Sequence, residues 1–132
     1  MTILVAYVPR PEGQAALDKG IEIATRRRER LVVVNASPGG KKDDPSFADV
    51  QDFERVEQLL ASTGLEAEVK QYVRGKNAVE EIEGLVQSLQ ASLLIIGLRK
   101  RSPVGKLIMG SVAQELLLSV SCPVLAVKST LA

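Results

Sequence analysis

A chain of 132 residues, 45% of them apolar, is long enough to bury a core and short enough to be read as one domain over 1–132. Seventeen Lys and Arg nearly balance sixteen Asp and Glu, so no global field draws the protein to nucleic acid or an anionic membrane; two Tyr, two Phe and no Trp leave little on which bases could stack. With no histidine, and with Cys122 the single cysteine, disulfides, His/Cys zinc sites and imidazole-based triads are excluded.

The run "ILVAYV" (3–8) is continuously apolar, as a strand covered on both faces is, and Pro9 and Pro11 follow it. Leu17, Gly20, Ile21 and Ala24 then recur at helical spacing and predict a first helix. "LVVVNA" (31–36) is a second buried strand, and "SPGGKKDDPS" (37–46) is the longest irregular stretch, expected to be a solvated connection. A second helix is expected from about Ser46 to Thr63, with Val50, Phe53, Val56 and Leu60 facing inward and Gly64 at its stop. "EAEVKQYV" (66–73) alternates polar and apolar residues, the pattern of a half-exposed strand. A third helix over about 77–90 would bury Val79, Ile82, Val86 and Leu89; "SLLIIG" (92–97) reads as a fourth strand, a basic loop follows, a fourth helix begins near Ser111, and "PVLAVK" (123–128) is a fifth strand. No basic leader precedes the first strand and no apolar run approaches the ~20 residues of a membrane span, so a soluble cytoplasmic protein is expected, with no membrane or nucleic-acid partner. Without a secretory route the sequon at Asn35-Ala36-Ser37 has no use.

Strands alternating with helices predict an α/β fold, an open, doubly wound, five-stranded parallel sheet with four helices on its two faces. The order 2-1-3-4-5 would bury the charges of "EAEVKQYV" in the middle of the sheet. The order 3-2-1-4-5 puts that strand at an edge and the apolar first and fourth strands at the centre, and it is the expected, Rossmann-like order. Ligands of such sheets bind where the winding direction reverses, here between the first and fourth strands, at Val8-Pro9-Arg10 and the loop from Gly97. The apolar edge of "PVLAVK" invites pairing with its copy in a homodimer.

The stretch "GLRKRSPVGKLIMGS" (97–111) is not a Walker P-loop, since Gly105-Lys106 is followed by Leu107 and Gly97 lies eight residues before Gly105. What it offers is Gly97, the cations Arg99, Lys100, Arg101 and Lys106, and then Gly110-Ser111 opening a helix. Free backbone N–H groups at a helix N-terminus, from Gly110 to Val112, would form an anion site at the positive end of the helix dipole. The same spacing also fits Ser111 as a simple N-cap, the glycines as turn residues and the cations as a solvated face. Asp43, Asp44, Glu80, Glu81 and Glu83 read as solvated surface; Glu12, placed on the first loop, is the acid near the expected cleft. Cys122, before Pro123, reads as a buried structural thiol. Hydrolysis needs groups that orient water and hold magnesium, so no catalytic or metal site is expected.

The whole chain resembles the universal stress protein family, whose nucleotide-binding members carry G-x-x-G, nine residues, then G-[ST] after the fourth strand. Gly97, Gly110 and Ser111 match three of those positions at the family spacing, and "GSVAQELLLSVSCPVLAVK" is similar to the family's closing helix and strand. The resemblance implies a stress-response regulator or sensor, dimeric, with ATP or a related adenine nucleotide as ligand. Two positions depart from the pattern. Lys100 stands at the second glycine of G-x-x-G, and Val8 stands where nucleotide-binding members carry an aspartate, removing an acceptor for the nucleoside. These departures imply the alternative of a member that binds no nucleotide and acts through dimerisation and protein partners.

Overall fold

The computed structural model describes residues 1–36, 47–72, 77–101 and 106–129, and within these the backbone alone for 100, 101 and 106–108. In chain order the elements are β1 (Thr2–Ala6), α1 (Pro11–Arg27), β2 (Arg30–Ala36), α2 (Val50–Ala61), β3 (Ala67–Tyr72), α3 (Ala78–Ser88), β4 (Ala91–Arg101), β5 (Lys106–Ile108), α4 (Ser111–Ser119) and β6 (Val124–Lys128). The parallel strands run β3-β2-β1-β4-β6, which is the 3-2-1-4-5 order expected for the five-strand sheet, with β3 and β6 at its edges. The connection after the fourth strand differs from the expected loop. β4 runs on to Arg101, and Arg99, Lys100 and Arg101 pair antiparallel with Ile108, Leu107 and Lys106, so the extended backbone beyond the sheet finds its hydrogen-bond partners in a hairpin. The stretches 37–46 and 102–105, and Val73 at the end of the expected third strand, lie outside the described residues.

Side chains alternate across the sheet with period two. Ile3, Val5 and Tyr7 of the first strand segment join Leu31, Val33 and Ile95 against α1 and α2, while Leu4, Val32, Val34, Leu94 and Ile96 join Val79, Ile82, Val86 and Leu116 of α3 and α4. The first and fourth strands are covered on both faces, which is why they read as unbroken apolar runs; β3 is only partly buried along its length, as its alternation predicts. Among the described residues no helix is long and apolar enough to cross a membrane.

The helix ends follow local rules. Pro11 occupies the first turn of α1 and Arg28 closes it in the left-handed region (φ 55°). Gly64, the expected stop after α2, has φ 74°. α2 begins at Val50 rather than near Ser46, because the Asp49 side chain accepts from the Asp52 N–H and caps it there. Val50, expected inward, is 72% exposed in consequence: as the first helical residue it precedes the buried face, which is carried by Val56 and Leu60 with Phe53 half-buried.

One polar group inside the sheet ties three strand ends together. Asn35 is fully buried, so its sequon is out of reach of any modifying enzyme in the folded chain. Its Nδ2 donates to the Tyr7 carbonyl (3.0 Å) and its Oδ1 accepts from Ala48 N–H and from Gln71 Nε2, both at 3.0 Å. Gln71 also donates to the Ala48 carbonyl (2.6 Å), so the chain entering α2 is pinned to β2 and β3. On the same face the Tyr7 hydroxyl donates to Asp52 (2.6 Å) and accepts from Arg55 (2.9 Å), which also reaches Gln14 of α1 (3.0 Å). Burial, and then the hydrogen bond to Asp52, hold the Tyr7 hydroxyl well above the usual phenol range, so it stays a neutral donor.

The first turn of α1 touches the sheet at two glycines. A β-carbon on Gly13 would overlap the Val8 backbone, and one on Gly97 would overlap the Glu12 carbonyl oxygen, whereas at Gly84 of α3 it would meet open space. We therefore expect Gly97→Ala to lower unfolding free energy by about 1–3 kcal/mol, the cost of forcing α1 off β4. Gly84→Ala should raise it by about 0.5–1 kcal/mol, the helix-propensity gain. Urea titration of both variants checks this; a Gly97→Ala variant as stable as the parent contradicts the packing described.

Candidate functional site

The glycine contact brings the start of α1 over the carboxyl ends of β1 and β4, and a cleft of about 240 Å³ opens there, somewhat below the roughly 300–1,000 Å³ typical of ligand pockets. One part of it is apolar, with Val8, Ala36, Ala78, Ile82, Ile96 and Leu116 in its walls. The other part is charged and polar, formed by Arg10 and Glu12 at the start of α1, Arg99 on β4 and the opening residues of α4. Gly97 and Arg99 are two residues apart on β4, hence on one face, so the strand that seats α1 also aims Arg99 along it.

The start of α4 differs from those of α2 and α3. Asp49 and Asn77 cap their helices with side-chain bonds to Asp52 and Val79 N–H, each at 2.8 Å. At α4 the N-cap is Gly110 (φ −63°, ψ 159°), no described side chain caps the helix, and the first bond into it runs from Gln114 N–H to the Gly110 carbonyl at 2.9 Å. The N–H groups of Ser111, Val112 and Ala113 thus have no acceptor within the helix, and these residues line the cleft. Gly110 itself needs no special backbone conformation. A β-carbon there would meet only an Arg99 Nη2 at 3.8 Å, which puts the guanidinium beside the helix terminus. Backbone donors, the dipole end and an arginine converging on an apolar cleft suit an anion attached to an apolar body.

Glu12 belongs to the first turn of α1, not to the preceding loop as the sequence suggested, because Pro11 starts the helix. Its side chain is 10% exposed; Oε2 lies 3.3 Å from Arg99 Nε and 3.7 Å from Arg10 Nη1. A carboxylate engaged by two arginines is not set to hold magnesium, and among the described residues no group of three His, Cys, Asp or Glu side chains is spaced for a metal ion. Cys122 lies outside the cleft, and burial pushes its thiol up from its usual range, away from nucleophilic character.

Of the residues singled out from the sequence, the fold brings Val8, Gly97, Arg99, Gly110, Ser111 and Val112 together around the cleft. Pro9 is not among them. It borders a separate open depression with Phe47, Asp52 and Arg55, since the chain turns at Pro9, where the Arg10 N–H donates to the Val8 carbonyl at 2.8 Å. Lys100 and Lys106 sit on the two strands of the hairpin, where their backbones pair with those of Leu107 and Arg101. Ser111 is the first residue of α4 and not its N-cap. Ala36 and Ile82 were expected to be buried, but nothing in the sequence placed them or Ala78 at the cleft, since that wall arises where β2 and α3 meet.

The family model described as "Universal stress protein family" matches residues 1–128. A universal stress protein of Mycolicibacterium smegmatis is 47% identical over 126 residues, covering 96% of each chain. Among solved structures, a universal stress protein from Archaeoglobus fulgidus superposes with a TM-score of 0.77 at 30% identity, over 96% of this chain and 97% of that one. A universal stress protein of the same organism in complex with dAMP superposes with a TM-score of 0.71 at 23% identity, covering 96% of both.

If the α4 terminus is held open for a ligand, Ser111 contributes little to folding. Ser111→Ala should change unfolding free energy by less than about 0.5 kcal/mol, whereas Asn77→Ala, which removes a true cap, should cost about 1 kcal/mol. Chemical denaturation compares the two, and a Ser111→Ala loss as large as that of Asn77→Ala would assign Ser111 to the helix alone.

Proposed function

The chain belongs to the universal stress protein family, and we propose that it works as a cytoplasmic stress-response regulator or sensor, a binding protein rather than an enzyme, taking an adenine nucleotide in the cleft between β1 and β4. The observation that carries this reading is the start of α4, without a side-chain cap and flanked by Arg99, opening on an apolar cleft. In it the phosphate lies on the N–H groups from Ser111 to Val112 with the Ser111 hydroxyl and Arg99, the nucleoside lies along Val8 and the apolar wall, and Gly97 forms the floor. Lys100 and Lys106 of the adjoining hairpin remain in the proposed set, and Pro9 does not. That a protein of the same fold is a dAMP complex supports an adenine nucleotide as the ligand class. The engagement of Glu12 by two arginines supports binding over hydrolysis.

The alternative reading, action through dimerisation and protein partners, draws on the β6 edge of the sheet. β6 pairs with β4 on one side, and among the described residues no strand covers its other side, while Leu118 of α4 is 81% exposed. Pairing of two β6 edges in a homodimer is compatible with either function. Light scattering at micromolar concentration should give twice the 14.2 kDa chain mass, and a monomer mass refutes it.

The Val8 side chain offers the nucleoside no acceptor, so AMP binding by the parent chain rests on its phosphate half. Titration calorimetry at low salt should detect AMP and inorganic phosphate. Val8→Asp should tighten AMP by about two- to tenfold, one hydrogen bond's worth, and leave inorganic phosphate unchanged or slightly weaker. Absence of binding by either protein would move the function to the partner reading.

A further inference from the structure

Arg99 stands between a carboxylate that attracts it and the positive end of the α4 dipole, where a bound anion would attract it too. On one side its Nε is 3.3 Å from Glu12 Oε2; on the other its guanidinium borders the open start of α4. Neither backbone can retreat, because the Glu12 main chain rests on Gly97 of the same strand. The arginine side chain is 48% exposed and the carboxylate 10%, so the arginine is the member of the pair with room to swing. Arg10, whose Nη1 is 3.7 Å from the same carboxylate oxygen, lines the cleft as well. Among the described residues Glu12 is the acid in the cleft wall.

We propose that Glu12 is a built-in counter-anion of the cleft: it competes with the ligand's phosphate for Arg99 and so sets the ligand charge that the cleft accepts. This rests on the reading of the cleft as an anion site and deepens it. Arg10, Glu12 and Arg99 together contribute one net positive charge. A phosphate arriving at α4 either draws Arg99 away from Glu12, leaving that carboxylate with Arg10, or lies beside the carboxylate while Arg99 still holds it, and either cost grows with the charge the ligand brings. Glu12 so narrows the advantage that a triphosphate's extra charge would give it over a monophosphate. The device discriminates by repulsion.

The test is titration calorimetry of the full chain at low salt with inorganic phosphate, AMP and ATP, on the parent, Glu12→Gln and Glu12→Gln/Arg99→Gln. Removing the carboxylate charge should tighten AMP roughly three- to tenfold and ATP by a larger factor, so that the ratio of ATP affinity to AMP affinity rises. With Arg99 also replaced, the gain should shrink to about twofold, since the pair and not the site is being altered. Binding detectable only in Glu12→Gln is the same result in stronger form. Gains equal for AMP and ATP, or no gain, overturn the counter-anion while leaving the anion site standing; no binding of any ligand by any of the three proteins overturns both. Should Glu12→Gln fail to fold, the Arg99 side-chain N–H resonance of the parent decides: it should shift as inorganic phosphate is added, and a resonance that stays fixed while phosphate binds rejects the proposal.

Discussion

The first turn of α1 lies directly on the sheet because Gly13 and Gly97 carry no β-carbon where the helix meets the Val8 backbone and crosses β4. Any side chain at either position would lift the helix, and with it the one acidic group that faces the cleft among the described residues. The contact therefore acts on two levels. It closes the α1 face of the sheet over Ala16, Leu17 and Ala24, and it fixes Glu12 at ion-pair distance from the strand that carries Arg99. Gly97 in this fold is first a packing residue, and its place beside the cleft follows from the packing.

Around this contact the rest of the site is held by polar groups inside the fold. Asn35 ties the ends of β1, β2 and the segment before α2, and the Tyr7–Asp52–Arg55 group locks α1 to α2. The buried Asn35 network, its members satisfied, rigidifies what it joins, and it holds the carboxyl ends of the strands, where a ligand cleft needs a fixed rim. The cleft is divided in chemistry as well as in shape: an apolar wall that includes Val8, and a charged corner in which the dipole of α4 and two arginines are partly offset by Glu12. Its affinity for anions is set by a balance of charges and not by a sum of cations.

Much of this was legible in the sequence where the signal is local or periodic. The alternation of "EAEVKQYV" against the unbroken apolar runs of β1 and β4 decided the strand order, and Gly64 marked a helix stop at positive φ. The start of α4 near Ser111 was legible, but the assignment of its cap was not, since Gly110 and Ser111 are both acceptable N-caps and only the backbone dihedrals choose Gly110. Val50 was misplaced because helical spacing says nothing about how far a helix overhangs its sheet. The hairpin of Arg99 to Ile108 was missed because its cations mask a strand pattern. The pairing of Glu12 with Arg99 spans most of the chain, and no spacing rule reaches that far.

A crystal structure of the full chain with AMP bound tests the account most directly, because it shows the phosphate and the Arg99–Glu12 pair together. The phosphate should lie on the N–H groups of Ser111 and Val112, with Arg99 turned from Glu12 onto its oxygens and the α1 contact at Gly97 unchanged. AMP bound elsewhere, or bound at α4 with Arg99 still seated on Glu12, would contradict the account.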